Sequence, residues 1–90
     1  MLYMVIERFR QPGGVAVNRR AAQQGRMLPE GLRYVDSWVD LNFTVCYQLM
    51  ECADARLFGA WIARWQDLVN FEIAPVRPSS EAARAIAPFL

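Results

Sequence analysis

The chain has 90 residues, a formal net charge of +1 and ten basic residues, all of them arginine. The absence of histidine excludes an imidazole base, a catalytic triad of the usual kind and an ordinary zinc site. The absence of lysine excludes a Schiff-base lysine and a P-loop lysine. The arginines are scattered along the chain, so they form no basic stripe for a nucleic-acid backbone.

No stretch of the sequence predicts a membrane segment or a signal peptide. No apolar run approaches the roughly 20 residues of a membrane span, and the opening MLYMVIERFR lacks a basic leader. Cys46 and Cys52 lie on or near one strand, so about 20 Å would separate them, which is too far for a disulfide. Free thiols without a leader predict a cytoplasmic protein. Ninety residues suit one small domain, which often gains stability by associating with a copy of itself.

The first part of the chain predicts a strand, a break and a helix. Alternating apolar residues indicate a strand over Leu2–Phe9, and a Pro-Gly-Gly break precedes a modest helix over Val15–Gln24. The side chains of Arg19 and Arg20 are expected on the solvent side of this helix. Gly25 suits its end.

The stretch from Leu32 to Glu51, LRYVDSWVDLNFTVCYQLME, predicts a β-hairpin. It is rich in β-branched and aromatic residues, and turn residues around Asp40 and Asn42 divide it. Alternate residues of a strand point to opposite faces, so a loop of three residues or a bulge would keep the more apolar alternate set together. That set comprises Val35, Ser37, Val39, Phe43, Val45, Tyr47 and Leu49.

The second half of the chain predicts a strong helix, a strand and a tail. Asp54 is a plausible N-cap, and the helix behind it has one broad apolar stripe. Phe71–Val76 indicates an edge strand because it contains a proline. A short tail helix, capped by Ser79 or Ser80, ends near Ala87, which divides the chain into a domain over 1–78 and a tail over 79–90. The stripe comprises Leu57, Phe58, Trp61, Ile62, Trp65, Leu68 and Val69, with both tryptophans expected in the core.

The order of elements, βαββαβ, predicts the ferredoxin-like α+β fold, with a four-stranded antiparallel sheet in the order 4-1-3-2 and both helices on one face. The helix-covered face is expected to hold Leu2, Met4, Ile6, Val35, Val39, Val45, Tyr47, Leu49, Phe71 and Ile73. The opposite face is expected to hold Tyr3, Val5, Glu7, Tyr34, Asp36, Trp38, Cys46, Gln48, Met50, Glu72, Ala74 and Val76. That second face is too apolar for water, which predicts a two-fold homodimer packed sheet to sheet.

Four segments carry a resemblance to a known family: MLYMVIERF, GRMLPEGLRYVDSWVD, CYQLMEC and FGAWIARWQDLVNFEIAPV. Over Met1 to Ser80 the chain resembles a small bacterial family of unknown function, domain of unknown function family three-three-zero-three. The family is similar to dimeric α+β-barrel proteins, in which two such sheets face each other. Relatives of that wider fold include cofactor-free monooxygenases, haem and dye-handling enzymes and ligand binders, so the resemblance implies no single activity.

A ligand site is expected in the chamber between the two sheets. Glu7 and Glu72 should lie on neighbouring antiparallel strands with Asp36 on the same side, and carboxylates in a partly dry space raise one another's pKa and serve as acid or base. The favoured alternative is that these acids form a wet rim or pair with arginines across the dimer. The candidate ligand-binding residues are Tyr3, Glu7, Tyr34, Asp36, Trp38, Cys46, Gln48 and Glu72.

Three further residues near this site receive structural interpretations. Cys46 has no histidine to activate it and is interpreted as a small buried hydrophobe. Tyr47 is expected in the core. Arg33 and Glu51 are expected to pair at the far end of the hairpin.

Three functions compete. The first is a homodimeric protein that binds a small organic molecule between its sheets, and the second is a cofactor-independent monooxygenase or isomerase in which Trp38 with Glu7 or Asp36 orients the substrate. The third, RNA binding, is disfavoured because the third strand offers Cys46, Gln48 and Met50 where aromatic residues are needed. No cofactor, metal, nucleic acid or membrane partner is expected. The sequence does not decide between binder and enzyme.

Overall fold

The protein folds into four strands and three helices, and a computed structural model describes all 90 residues. In chain order the elements are β1 (Leu2–Phe9), α1 (Val15–Gln24), β2 (Arg33–Val39), β3 (Val45–Glu51), α2 (Leu57–Ala63), β4 (Val69–Val76) and α3 (Ser79–Ile86), with short 3₁₀ turns at Pro12–Gly14 and Ala87–Phe89. The predicted first strand and first helix are confirmed to the residue. None of the helices has the length and apolar character that crossing a membrane requires.

One antiparallel sheet contains all four strands in the order β2-β3-β1-β4. This is the predicted 4-1-3-2 order, and with the βαββαβ arrangement along the chain it confirms the ferredoxin-like α+β fold. β2 and β4 are the edge strands, so Pro75 lies in an edge strand, as predicted.

The helices α1 and α2 cover the face of the sheet opposite to the predicted one. Val5 and Met50 are fully buried and cluster with Phe58, Trp61 and Trp65. This covered side, the helix face, carries Tyr3, Val5, Glu7, Tyr34, Ser37, Val39, Cys46, Gln48, Met50, Phe71 and Ile73. The other side, the open face, carries Leu2, Met4, Ile6, Arg8, Arg33, Asp36, Trp38, Val45, Tyr47, Leu49, Glu51, Glu72, Ala74 and Val76.

The assignment of faces was wrong because both sets of alternate residues are rich in apolar side chains. The set with more polar groups is the buried one, since its polar groups bond to each other: Gln48 Nε2 donates to Glu7 Oε1 at 2.5 Å. Tyr47, predicted in the core, is 38% exposed on the open face instead.

The hairpin loop sets a different register from the predicted one. Val39 pairs with Cys46, so these two side chains lie on the same face. Val45, the neighbour of Cys46 in the strand, points to the other face, although Val39 and Val45 were predicted to share one. The carboxylate of Asp40 accepts the backbone N–H groups of Thr44 and Val45 at 2.7 and 3.0 Å, which holds the loop in this register. The predicted grouping of the two apolar sets on one face is therefore wrong.

A bulge, one of the two predicted devices, is present, but it lies within β2. Tyr34 pairs with Met50 while Asp36 pairs with Leu49, so Val35 is an extra residue. Because of this extra residue, Tyr34 lies on the helix face and Asp36 on the open face.

The second helix is shorter than its apolar stripe predicts. α2 ends at Ala63, residues 64–68 form turns, and β4 begins at Val69, two residues before the predicted start. Trp61 and Trp65 are nevertheless core residues, as predicted.

Neither predicted helix cap forms. The carboxylate of Asp54 accepts the backbone N–H of Arg56 at 3.0 Å, but Arg56 itself precedes α2. Pro78 precedes α3, and no side chain caps that helix.

The tail projects away from the domain. α3 has no buried residue, and every residue from 79 to 90 is exposed. The tail ends on Phe89 and Leu90, whose apolar side chains are 82% and 96% exposed.

Candidate functional site

The eight residues predicted to form one site lie on both faces of the sheet. The helix face holds Tyr3, Glu7, Tyr34, Cys46 and Gln48, whereas the open face holds Asp36, Trp38 and Glu72.

The predicted approach of Glu7 to Glu72 and Asp36 is wrong. Glu7 pairs with Phe71, one residue out of phase with Glu72, so the two carboxylates point to opposite sides of the sheet. Glu72 forms a surface ion pair at 2.9 Å with Arg8 of the same chain, rather than the predicted pairing with an arginine across the dimer. Asp36 accepts a hydrogen bond from its neighbour's backbone N–H at 2.8 Å. The predicted pair of Arg33 and Glu51 is confirmed.

A cavity of about 280 Å³ lies on the helix face, between the sheet and α1. We call it the helix-side cavity. Its polar and charged lining residues are Glu7, Asn18, Arg26, Ser37, Cys46 and Gln48. Its apolar lining residues are Phe9, Val17, Ala21, Gly25, Val39, Trp61 and Trp65.

The cavity exists because α1 presents small side chains to the sheet. Val17 and Ala21 are the residues of α1 that pack toward the core, and they leave space that larger side chains would fill. Gly14, which precedes α1, has a φ of +61°, and a Cβ atom there would lie 2.8 Å from the ring of Phe9. The start of the helix is thereby fixed against β1.

Arg20 attaches α1 to the turns after α2. Its Nη1 and Nη2 donate to the two carboxylate oxygens of Asp67 at 2.8 and 2.6 Å, and its guanidinium lies 5.4 Å from the ring centroid of Trp65. The expectation that Arg20 faces solvent is thus met in part: its side chain remains 27% exposed while it contacts Asp67 and Trp65.

A chain of hydrogen bonds runs from the sheet to the mouth of the cavity. Gln48 Nε2 donates to Glu7 Oε1 at 2.5 Å, and Arg26 Nε donates to Gln48 Oε1 at 3.2 Å. Glu7 and Gln48 are each 6% exposed. No fully buried side-chain oxygen or nitrogen lacks a partner, so the second carboxyl oxygen of Glu7, which has no partner, reaches the cavity.

Arg26 is the main site residue that the sequence did not reveal. Its backbone carbonyl accepts the indole N–H groups of Trp61 and Trp65 at 3.0 and 2.9 Å. Its guanidinium lies over the ring of Tyr34, with 3.6 Å between the guanidinium carbon and the ring centroid. Arg26 follows Gly25 in a turn, where no periodic pattern indicates the direction of a side chain.

Burial raises the pKa of Glu7 to about 7, against the opposing effects of the Gln48 hydrogen bond and the charge of Arg26. The carboxyl group therefore exchanges its proton near neutral pH. A side chain with this property acts as a hydrogen-bond donor below pH 7 and as an acceptor or base above it.

The thiol of Cys46 stays protonated. Burial, assisted by the charge of Glu7, raises the pKa of Cys46 to about 12. The prediction of a small buried hydrophobe at this position is confirmed by its 8% exposure. No group of three or more potential cysteine or carboxylate ligands is close enough to hold a metal ion.

Comparison with protein families gives one match. A family described as "Domain of unknown function (DUF3303)" matches residues 1–90. Comparison with curated proteins and with solved structures gives no match.

Proposed function

Because the chain belongs to the family of domain of unknown function 3303, whose description names no activity, we propose a function from geometry: the protein binds a small organic molecule in the helix-side cavity. One observation carries the proposal. Glu7, Gln48 and Arg26 form a hydrogen-bonded chain that lines an otherwise largely apolar cavity. A few placed polar groups among apolar and aromatic side chains are typical of small-molecule sites.

The size of the cavity limits the ligand. An apolar cavity of roughly 150 Å³ holds benzene, and pockets for drug-sized molecules begin near 300 Å³. The volume of about 280 Å³ therefore suits a single substituted ring or an aliphatic molecule of similar size.

The test uses two single-ring compounds that each carry one polar group. We expect benzamide or benzoate to shift the NMR resonances of cavity residues. Ala21→Leu, which fills the cavity from α1, should abolish these shifts. Its matched control is Ala22→Leu, one position along the same helix and exposed. Equal binding by the two variants, or no binding by the wild type, would contradict the proposal.

We also propose that the protein is a homodimer through the open face. The middle of this face is apolar, and ion pairs flank it: Arg8 with Glu72 near one end of β1, Arg33 with Glu51 near the other. Strands of seven or eight residues make a sheet of about 20 by 25 Å. Two such faces bury roughly 1,000 Å², the lower limit for a specific interface.

The mass in solution tests the dimer. We expect twice the 10.3 kDa of one chain by light scattering at micromolar concentration. Tyr47→Glu places a charge at the centre of the open face, between Ile6 and Trp38, and should give the monomer. Val15→Glu, at an exposed apolar position on α1, is the control and should leave the dimer intact. A monomeric wild type would rule the interface out.

A second candidate function is proton transfer by Glu7. It rests on the carboxyl pKa of about 7 inside the cavity, which suits an acid or base at neutral pH. Trp38 and Asp36 lie on the open face, so the isomerase alternative keeps only Glu7 of its three residues. The test uses acetophenone, a single-ring ketone with an enolisable methyl group, and measures the uptake of deuterium from D₂O at that methyl carbon. Glu7→Gln should abolish uptake while binding persists.

We further propose that the protein works in the cytoplasm. Cys46 and Cys52 are both free and both buried, which suits a reducing compartment. The expected result is recovery of the native protein with the cytoplasmic fraction and with two titratable thiols after unfolding.

A further inference from the structure

Arg26 carries hydrogen-bond donors that the protein does not use. A guanidinium has five N–H donors, and only Nε has an acceptor, the side-chain oxygen of Gln48. No carboxylate pairs with Arg26, whereas Arg8, Arg20 and Arg33 each have an acidic partner. The four N–H groups on Nη1 and Nη2 have no acceptor within the protein, and Arg26, an exposed residue, lines the cavity.

The position of this guanidinium is fixed from two directions. Its backbone carbonyl is held by the indole N–H groups of Trp61 and Trp65, and its side chain is stacked on Tyr34 and bonded to Gln48. Little side-chain freedom remains to be lost when an anion binds. Such preorganisation favours two-point recognition of a planar carboxylate.

We propose that the helix-side cavity binds a small apolar monocarboxylic acid as its anion, with Arg26 pairing to the ligand carboxylate and Glu7 taking up one proton from solvent. This inference rests on the proposed function and specifies the class of ligand that the cavity binds. The carboxylate accepts hydrogen bonds from Nη1 and Nη2 of Arg26, and the ring or chain of the ligand packs on Val39, Ala21 and Trp61. The O–H bond formed on Glu7 replaces the bond broken in the hydronium ion or buffer acid that gives up the proton, and no other covalent bond changes.

Proton uptake follows from the charges in the cavity. Two carboxylates sharing a partly dry site disfavour each other's ionised form, and one guanidinium neutralises only one of them. The pKa of Glu7 is already about 7 without a ligand, so a second anion raises it further. Protonated Glu7, ligand anion and Arg26 cation together carry no net charge.

No other group facing Glu7 titrates in the same range. β3 contributes Cys46, whose thiol pKa of about 12 keeps it neutral, and the uncharged Gln48. The remaining neighbours on β2, α1, β4 and the α2 region do not titrate near neutral pH; they are Ser37, Asn18, Phe71, Trp61 and Trp65. Arg26 stays a cation throughout.

The experiment is calorimetric titration with benzoate and with its neutral analogue benzamide at pH 6 and pH 8, in buffers of different ionisation enthalpy. We expect benzoate to bind more tightly than benzamide at pH 6. Its affinity should fall about tenfold by pH 8, with uptake of about 0.9 proton per benzoate there, since a group with a pKa near 7 is about nine-tenths ionised. Benzamide affinity should not change with pH by more than about twofold.

Variants separate the role of Arg26 in binding the carboxylate from the role of Glu7 in taking up the proton. Arg26→Gln should lower benzoate affinity at least tenfold and leave benzamide affinity unchanged, and Arg26→Lys should recover part of the loss. Glu7→Gln should abolish both the proton uptake and the fall in affinity by pH 8. Arg19→Gln, an exposed arginine of α1 without a hydrogen-bonding partner, is the charge-matched control and should behave as wild type.

The outcomes distinguish this inference from the proposed function. Benzamide binding as tightly as benzoate at pH 6, an unchanged benzoate affinity in Arg26→Gln, or no proton uptake at pH 8 would overturn the carboxylate proposal while leaving the cavity as a binding site. Failure of both compounds to bind would overturn the proposed function and this inference with it.

Discussion

Glu7 is the residue in which the physical chemistry of the site is concentrated. It is an ionisable group in the middle of a sheet, 6% exposed, with one oxygen bonded to Gln48 and the other at the cavity. Burial disfavours its anion more than Gln48 and Arg26 favour it, so the pKa is raised. A group of this kind weakens the fold once it is ionised.

Replacement of Glu7 by glutamine should therefore remove a pH dependence of stability. In the unfolded chain Glu7 ionises near its ordinary pKa of 4.5, and in the folded chain near 7. Between these values only the unfolded state loses the proton, so the free energy of unfolding falls as the pH rises through this window and is constant above it. The loss attributable to Glu7 is about 3 kcal/mol at pH 8.

Urea unfolding of the wild type and of Glu7→Gln at pH 4.5 and pH 8 measures this effect. Glutamine can still accept the Gln48 bond, so the variant should match the wild type at the lower pH and exceed it by up to about 3 kcal/mol at the higher one. The difference between the two proteins isolates Glu7 from Asp40, Asp54 and Asp67, whose lowered pKa values act in the opposite direction at acidic pH. Parallel curves would show that Glu7 is ionised in the fold.

Part of the site was predictable at the scale of single residues. Glu7, Cys46 and Gln48 were grouped correctly because strand alternation places residues of one parity on one face, whichever face is covered. Asp36 was misplaced because one bulged residue reverses the parity of a strand. Arg26 was missed because its position depends on two tryptophan side chains that are distant in sequence.

At the scale of elements, the sequence predicted types better than ends. Every predicted strand and helix is present, because hydrophobic periodicity reports the local conformation. α2 ends at Ala63 although apolar residues continue at helical spacing. Trp65 lies in the turn that follows α2, and its side chain is nevertheless buried in the core. One helical hydrogen bond continues into this turn, from the backbone N–H of Gln66 to the carbonyl of Ile62 at 2.8 Å. The apolar spacing therefore predicted which side chains are buried, but it did not predict that the helix ends at Ala63.

The C-terminal tail contributes no buried residue to the fold. Residues 79–90 are exposed throughout, and α3 buries nothing. Deletion of residues 79–90 should change the free energy of unfolding by less than about 0.5 kcal/mol, as for surface changes in general.

Urea unfolding at a concentration low enough for the monomer measures the effect of this deletion. Phe58→Ala, which removes a buried aromatic side chain from α2, calibrates the assay with an expected loss of about 3–5 kcal/mol. A loss above 1 kcal/mol on deletion would mean that the tail belongs to the domain.

For the whole molecule, the sheet separates two surfaces with different roles. The helix face holds the core and the cavity, and the open face holds the apolar area proposed for the dimer. The sequence could not tell these faces apart, since each strand has large apolar residues of both parities. What distinguished them was the hydrogen bonding of the polar residues: Glu7 and Gln48 satisfy each other inside, whereas Arg8 and Glu72 pair in water.

This separation predicts that ligand binding does not require the dimer. A chamber between two sheets would be lost with the partner, but the helix-side cavity is formed by one chain alone. The Tyr47→Glu variant, monomeric by light scattering, should bind benzoate at pH 6 within about twofold of the wild-type affinity. The substituted side chain lies across the sheet from Glu7 and Gln48, so its charge acts only through a layer of backbone and packed side chains. Loss of binding in that monomer, with the fold intact by circular dichroism, would place the ligand between the sheets, because only a shared chamber depends on the second chain.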